Sequence, residues 1–139
     1  MLEKLKSNFE RGVWNFLEAS GVQYEYESQV LTYKARISGS CDKCGSKEIT
    51  VTKRYIPDWN FLKGKLVVET KGKFDAETRT KMLCVIESNP DIEFRLLFMR
   101  DNWLTRTKKK RYTDWCRQKG ITCAVGAFPE EWLKEIRGK

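Results

Sequence analysis

The residues best placed to do chemistry lie between Tyr55 and Lys73, in the run YIPDWNFLKGKLVVETKGK. Lys65–Thr70 reads as a strand, because Leu66, Val67 and Val68 are apolar or β-branched and glycine-containing turns flank them. Side chains two residues apart on a strand share a face at about 6.5–7 Å, so Glu69 and Lys71 project together while Thr70 points the other way. The preceding run, Ile56–Leu62, forms a neighbouring strand across a Lys63-Gly64 turn, which brings Asp58 opposite the region of Glu69. Two converging carboxylates suit Mg²⁺, which takes one or two protein carboxylates and fills its other positions with water or phosphate oxygens. A lysine beside them can orient or deprotonate an attacking water, or offset charge on a phosphate. Pro-Asp and Glu-x-Lys are both common by chance, so these residues also fit a hairpin with surface charges.

What the chain lacks narrows the chemistry further. It has no histidine, which excludes His-containing triads, His-metal sites and Cys₂His₂ fingers; a general base must be a carboxylate, Lys, Cys, Tyr or metal-bound water. Lys and Arg total 27 against 19 acids, and the net charge of +8 favours a polyanion or an anionic membrane surface. No run of about 18 apolar residues is present, and Met1–Glu10 is charged rather than signal-like, so an intracellular protein without membrane work is expected. The cysteines number five, which does not suggest a disulfide framework. Cys41-x-x-Cys44-Gly45 looks like half of a zinc knuckle, but a structural Zn²⁺ takes four ligands and no second such pair exists. Cys41 and Cys44 from two subunits could complete it at a dimer axis. An unmetallated turn or a redox dithiol are the alternatives, and Cys84, Cys116 and Cys123 read as buried inert thiols.

The positioning elements follow from periodicity. Leu2, Leu5, Phe9, Val13, Phe16 and Leu17 recur at three and four, an amphipathic helix over 2–20 stopped by Gly21, with Glu10 at the edge of the stripe. Val22–Tyr26 alternates as a half-buried strand. Val30–Ile37 and Ile49–Tyr55 read as a ribbon whose tip carries the Cys41–Cys44 pair. Asp75 caps a helix running to about Ser88, with Met82, Leu83, Val85 and Ile86 facing inward, and Ile92–Met99 is the next strand. Strand, helix and strand in so short a stretch make a parallel crossover, so the sheet is mixed. Thr113 caps a short helix ended by Gly120, Ile121–Val125 is a small strand, and Pro129 opens a last helix whose Trp132, Leu133 and Ile136 dock on the core. The polar run Asp101–Tyr112 is strongly basic. Read alone it is a solvated loop; beside a phosphate-directed site, Arg106, Lys108, Lys109, Lys110 and Arg111, together with Lys73, become candidates for contacts to a DNA backbone.

Taken together, the residues resemble the phage endonuclease I family of Holliday-junction resolvases, within the PD-(D/E)xK nuclease superfamily. The likeness is carried by SNFERGVWNFLEASGVQYEYE, YIPDWNF, GKLVVETKGKFDAETRTKMLCVIESNPDIEFRLLF, YTDWCRQKGITCA and PEEWLKEI. In that family a Glu of the first helix joins the Asp of the PD motif and the Glu and Lys of E-T-K, and these fall on Glu10, Asp58, Glu69 and Lys71. The resemblance implies an α/β fold, a restriction-endonuclease-like mixed β-sheet flanked by helices, in a single domain over 1–139. It implies a domain-swapped homodimer, in which a β-bridge within 30–56 carries the first helix into the partner's site. The implied chemistry is hydrolysis of branched DNA by metal-activated water, in paired symmetric cuts leaving a 5′ phosphate and a 3′ hydroxyl. Asp58, Glu69, the Thr70 carbonyl and Glu10 would then surround Mg²⁺ or Mn²⁺. The Ser38–Thr52 segment departs from the family as an insertion in or beside the bridge.

Two other readings stand beside this one. A nonenzymatic DNA-binding protein would use the charge and the cysteine tip, and a site-specific or nicking endonuclease of the same superfamily would keep the chemistry but need base-edge contacts.

Overall fold

The computed structural model describes Leu5, residues 7–38 and residues 48–139. The Cys41–Cys44 tip, and with it the zinc expectation, lies outside the described residues. Helix α1 spans Asn8–Ser20. It starts later than the apolar spacing suggests, because Ser7 takes the N-cap position and its hydroxyl accepts from Glu10 N at 3.2 Å. Leu5 lies outside the helix and is still buried. Gly21, in the left-handed region at φ 71°, ends the helix as expected.

A five-stranded sheet has the order β1 (Glu25–Tyr26), β4 (Trp59–Phe61), β5 (Leu66–Lys71), β6 (Glu93–Phe98), β7 (Thr122–Val125). β1, β4 and β5 are antiparallel neighbours, and β5, β6 and β7 run parallel. The strand–helix–strand crossover is thus observed, with α2 (Ala76–Ser88) between β5 and β6 and the Asp75 carboxylate accepting from Thr78 N at 2.9 Å. The expected strand over Val22–Tyr26 shortens to two residues. Its partner β4 is only three residues long, bounded by Pro57 and by a 3₁₀ turn at Leu62–Gly64. That turn needs Gly64: its φ is 85°, and a Cβ there would meet Gln29 Nε2 at 2.9 Å. Gln29 in turn donates to Gly64 O at 3.0 Å and to Asn60 Oδ1 at 2.7 Å.

Strands β2 (Leu31–Ser38) and β3 (Glu48–Tyr55) form the expected antiparallel ribbon, separate from the main sheet. The ribbon lies along α2. Lys34 N donates to Ser88 Oγ at 3.1 Å, Asn89 Nδ2 donates to Thr32 O at 3.1 Å, and Leu31, Tyr33 and Tyr55 join Met82 and Val85 in one apolar cluster.

The strand alternation divides the core between two faces. Leu66 and Val68 of β5 and Leu97 of β6 pack with Val13 and Leu17 of α1, and with Phe128, Trp132, Leu133 and Ile136 on or before α4 (Glu130–Arg137). Val67 of β5 and Phe94, Leu96 and Phe98 of β6 pack with α2 and α3 (Tyr112–Lys119). The start of α3 differs from expectation. Thr113 lies inside the helix, and the capping carboxylate comes from Asp101, which accepts from Thr113 N at 3.1 Å and from its hydroxyl at 2.8 Å. Sequence spacing sees a Thr before a helical run but not an acceptor folded back from a distant loop. Among the described residues no helix is long and apolar enough to cross a membrane.

Candidate active site

The β4–β5 hairpin sets the site. Trp59 pairs with Val68, and extending that register by one residue puts Asp58 level with Glu69. Glu10 lies on the buried stripe of α1 at three and seven residues from Val13 and Leu17, rather than at its edge. Glu10, Asp58 and Glu69 are 7, 7 and 3 % exposed. Carboxylates rarely go so deep without compensating partners.

The partners differ between the carboxylates. Asp58 Oδ2 accepts from Thr70 N at 3.1 Å and from Thr70 Oγ1 at 2.6 Å. Thr70 follows the alternation away from Glu69 and Lys71, yet its hydroxyl still reaches back to the end of the neighbouring strand. Burial pushes the Asp58 pKa above its ordinary value; the Thr70 bonds and the Lys71 charge oppose this, and the negative charge of Glu10 adds to it. The Asp58 carbonyl accepts from Glu27 N at 2.9 Å, with Glu27 in the left-handed region at φ 49°, which pins the end of β1 to the Pro57-Asp58 turn.

Tyr26 links helix to sheet. Its hydroxyl donates to Glu10 Oε2 at 2.8 Å, and its ring lies against Trp59, its register partner, with centroids 4.9 Å apart. Burial first, and then Glu10, push the phenol pKa upward, so the hydroxyl keeps its proton for Glu10. Alternation alone places Tyr26 only on one face of a half-buried strand. A buried tyrosine needs a partner for its hydroxyl, and that requirement was the available signal.

The structure therefore brings Glu10, Tyr26, Asp58 and Thr70 of one chain together, with Glu69 and Lys71 flanking Thr70 on the central strand. Among the described residues no three Asp, Glu or Cys side chains are grouped to enclose a cation, nor is Asp58 ion-paired with a Lys or Arg. A buried carboxylate with one oxygen given to Thr70, followed by a second carboxylate on the adjoining strand, suits Mg²⁺ completed by water and phosphate oxygens.

The basic candidates follow the C-terminal end of the parallel strands. Lys73 follows β5, and Arg106, Lys108, Lys109, Lys110 and Arg111 are exposed on a loop after β6. Both segments leave the C-terminal ends of the parallel strands next to Lys71, whose carbonyl accepts from Met99 N at 3.0 Å. Of the remaining thiols, Cys116 is buried and Cys84 and Cys123 are half-buried, all free.

A family model described as Phage endonuclease I matches residues 2–139. Endonuclease I of Escherichia phage T7 is 29% identical over 131 residues, covering 94% of this chain and 78% of the phage protein. Endodeoxyribonuclease 1 of Enterobacteria phage T3 is 28% identical over 131 residues, covering 94% and 77%.

Proposed function

The chain belongs to the phage endonuclease I family, and from that premise we propose that it is a metal-dependent endodeoxyribonuclease that resolves four-way and other branched DNA junctions by paired, symmetric phosphodiester hydrolysis. The observation that carries the reading is the convergence of Glu10 and Asp58, from elements far apart in sequence, beside the Glu69-Thr70-Lys71 strand end on a chain of net charge +8. The names of the T7 and T3 relatives, an endonuclease and an endodeoxyribonuclease, agree with its DNA-cleaving part.

In this reading Asp58 and Glu69, with the Thr70 carbonyl, would hold Mg²⁺ or Mn²⁺, and Glu10 would contribute a second position. The cation would supply Lewis acidity and a water acidic enough to attack phosphorus at neutral pH. The chain's own groups do the rest. Thr70 N and Oγ1 hold Asp58 through Oδ2 and so fix the orientation of the carboxylate that would bind the cation. Tyr26 holds the Glu10 carboxylate in one orientation. Lys71 orients the water and offsets charge on the pentavalent phosphate. The cations after β5 and β6 neutralise the DNA backbone on either side of the cut.

The proposal includes a homodimer, because paired cuts on a two-fold substrate call for two sites related by the same symmetry. It takes α1 and β1 to be exchanged between chains, with the β2–β3 ribbon as the bridge. Exchange would rebuild between two chains the contacts that α1 makes within one. The activity is tested with Asp58→Asn. This variant should bind a four-way junction nearly as well as the parent and lose cleavage by at least about a thousandfold, the scale of a lost essential group. Cleavage near the parent rate would remove Asp58 from the site.

A further inference from the structure

The loop after β6 is more than a charged run. Its two sides pair: Leu104 N donates to Lys110 O at 2.8 Å, Tyr112 N donates to Asn102 O at 3.0 Å, and Trp103 bridges Arg111 in antiparallel fashion. Its base is clamped to α3 by the Asp101 carboxylate on Thr113 and by Arg111 N on Asp114 Oδ2 at 2.9 Å. The result is a hairpin that follows β6 at the end of the sheet where β5 finishes in Lys71.

Its two aromatic residues have opposite fates. Tyr112 is buried, and its hydroxyl accepts from Phe74 N at 3.2 Å. Trp103 belongs to neither apolar cluster and is 39% exposed. The Arg111 guanidinium lies 4.0 Å from the centre of its ring, and Nη1 is tied to Asp101 O at 2.8 Å, so the pair is a fixed, flat, cationic platform. Beyond it Arg106, Lys108, Lys109 and Lys110 are exposed, and among the described residues none is ion-paired. The backbone pairing of the hairpin does not need an indole at position 103, and leaving one in water loses the burial it would gain in a core. Cations for phosphate around an aromatic face for a base are the two parts of a single-strand contact.

We infer that this hairpin reads the branch itself: Trp103, backed by Arg111, stacks on a base left unpaired or unstacked at the junction, while Arg106, Lys108, Lys109 and Lys110 hold the flanking phosphates. The inference rests on the branched-DNA reading and adds a source of structure selectivity, since stacked duplex offers no free base face to Trp103. Phosphate contacts treat junction and duplex alike.

The test is equilibrium binding in EDTA to a four-way junction carrying 2-aminopurine at the branch, with a second junction carrying it within an arm and a linear duplex of the same sequence. The parent should change the branch signal and leave the arm signal. Trp103→Ala should lose that change and bind the junction about tenfold or more weakly, on the scale of one lost stack, with duplex binding within about twofold; Trp103→Phe should retain most of both. Joint replacement of Lys108, Lys109 and Lys110 by Ala should weaken junction and duplex alike and flatten the salt dependence. Far-ultraviolet dichroism and melting confirm that each variant is folded. Trp103→Ala binding both DNAs as the parent does, or weakening both equally, would overturn the inference while leaving the nuclease reading intact. A parent protein that does not prefer the junction at all would instead overturn the branched-DNA reading.

Discussion

Tyr26 shows how the site depends on a group outside the acidic and basic set. Replacing Tyr26 by Phe leaves a buried carboxylate oxygen of Glu10 without the hydroxyl it accepts from. The expected loss of stability is about 1.5–3 kcal/mol, the range for a hydrogen bond to a charged group. In the proposed mechanism the same change raises the Mg²⁺ concentration needed for half-maximal cleavage. Melting and a metal titration check the two effects separately. Asp58 makes a pH prediction. Its pKa is raised in the folded chain, so the folded state holds that proton more tightly than the unfolded state does, and the penalty of its charge grows as pH rises from the ordinary aspartate value through the raised one. Without divalent cation, Asp58→Asn should therefore melt above the parent at neutral pH, with the gap closing toward acid; Mg²⁺ should raise the Tm of the parent and not that of the variant. A parent that outmelts the variant at neutral pH without metal would contradict this. At this scale the residue types of the candidate acidic site are legible, since Asp58, Glu69 and Lys71 stand in a short run whose strand pairing is local. Glu10 needed the family resemblance, and Tyr26 and the Thr70 hydroxyl needed the fold, because their partners are set by packing between distant elements.

At the scale of elements, periodicity found each helix and strand of the crossover, because an apolar stripe of period 3.6 or 2 is what a two-sided sheet selects. It misjudged ends where a single side chain or a short partner decides them. Ser7 starts α1 after Leu5, β4 limits β1 to two paired residues, and Asp101 rather than Thr113 satisfies the start of α3. The ribbon β2–β3 joins α1 and β1 to the β4–β5 hairpin, so in the proposed exchange its opening or closing would decide whether Glu10 serves its own chain or another. Mixing Glu10→Gln and Asp58→Asn chains under refolding conditions resolves this. If α1 is exchanged, each mixed dimer has one site with both carboxylates, and single-strand nicking returns although paired cutting does not. If α1 stays on its own chain, both sites of the mixed dimer lack one carboxylate and nicking stays absent.

For the whole molecule, composition favours a polyanion or an anionic membrane surface, and the structure gathers the basic candidates at one end of a sheet whose two faces each carry an apolar cluster. Its two faces are closed by α1 with α4 and by α2 with α3, which leaves the C-terminal ends of β5 and β6 to carry Lys71, Lys73 and the basic hairpin on one side of the molecule. Arg95 shows how firmly the other layer is held: it is buried under Trp132, with its guanidinium on Glu93 at 2.6 Å and on Glu135 at 2.5 Å. Charge alone did not reveal this sidedness, because composition carries no direction. The most direct measurement is cleavage of a synthetic immobile four-way junction and of a linear duplex of the same sequence, with Mg²⁺ or with EDTA, resolved on a denaturing gel. The account predicts symmetric cuts near the branch of the junction, only with metal, and little cutting of the duplex. Binding without cleavage under Mg²⁺ or Mn²⁺, or equal cutting of both DNAs, would contradict it.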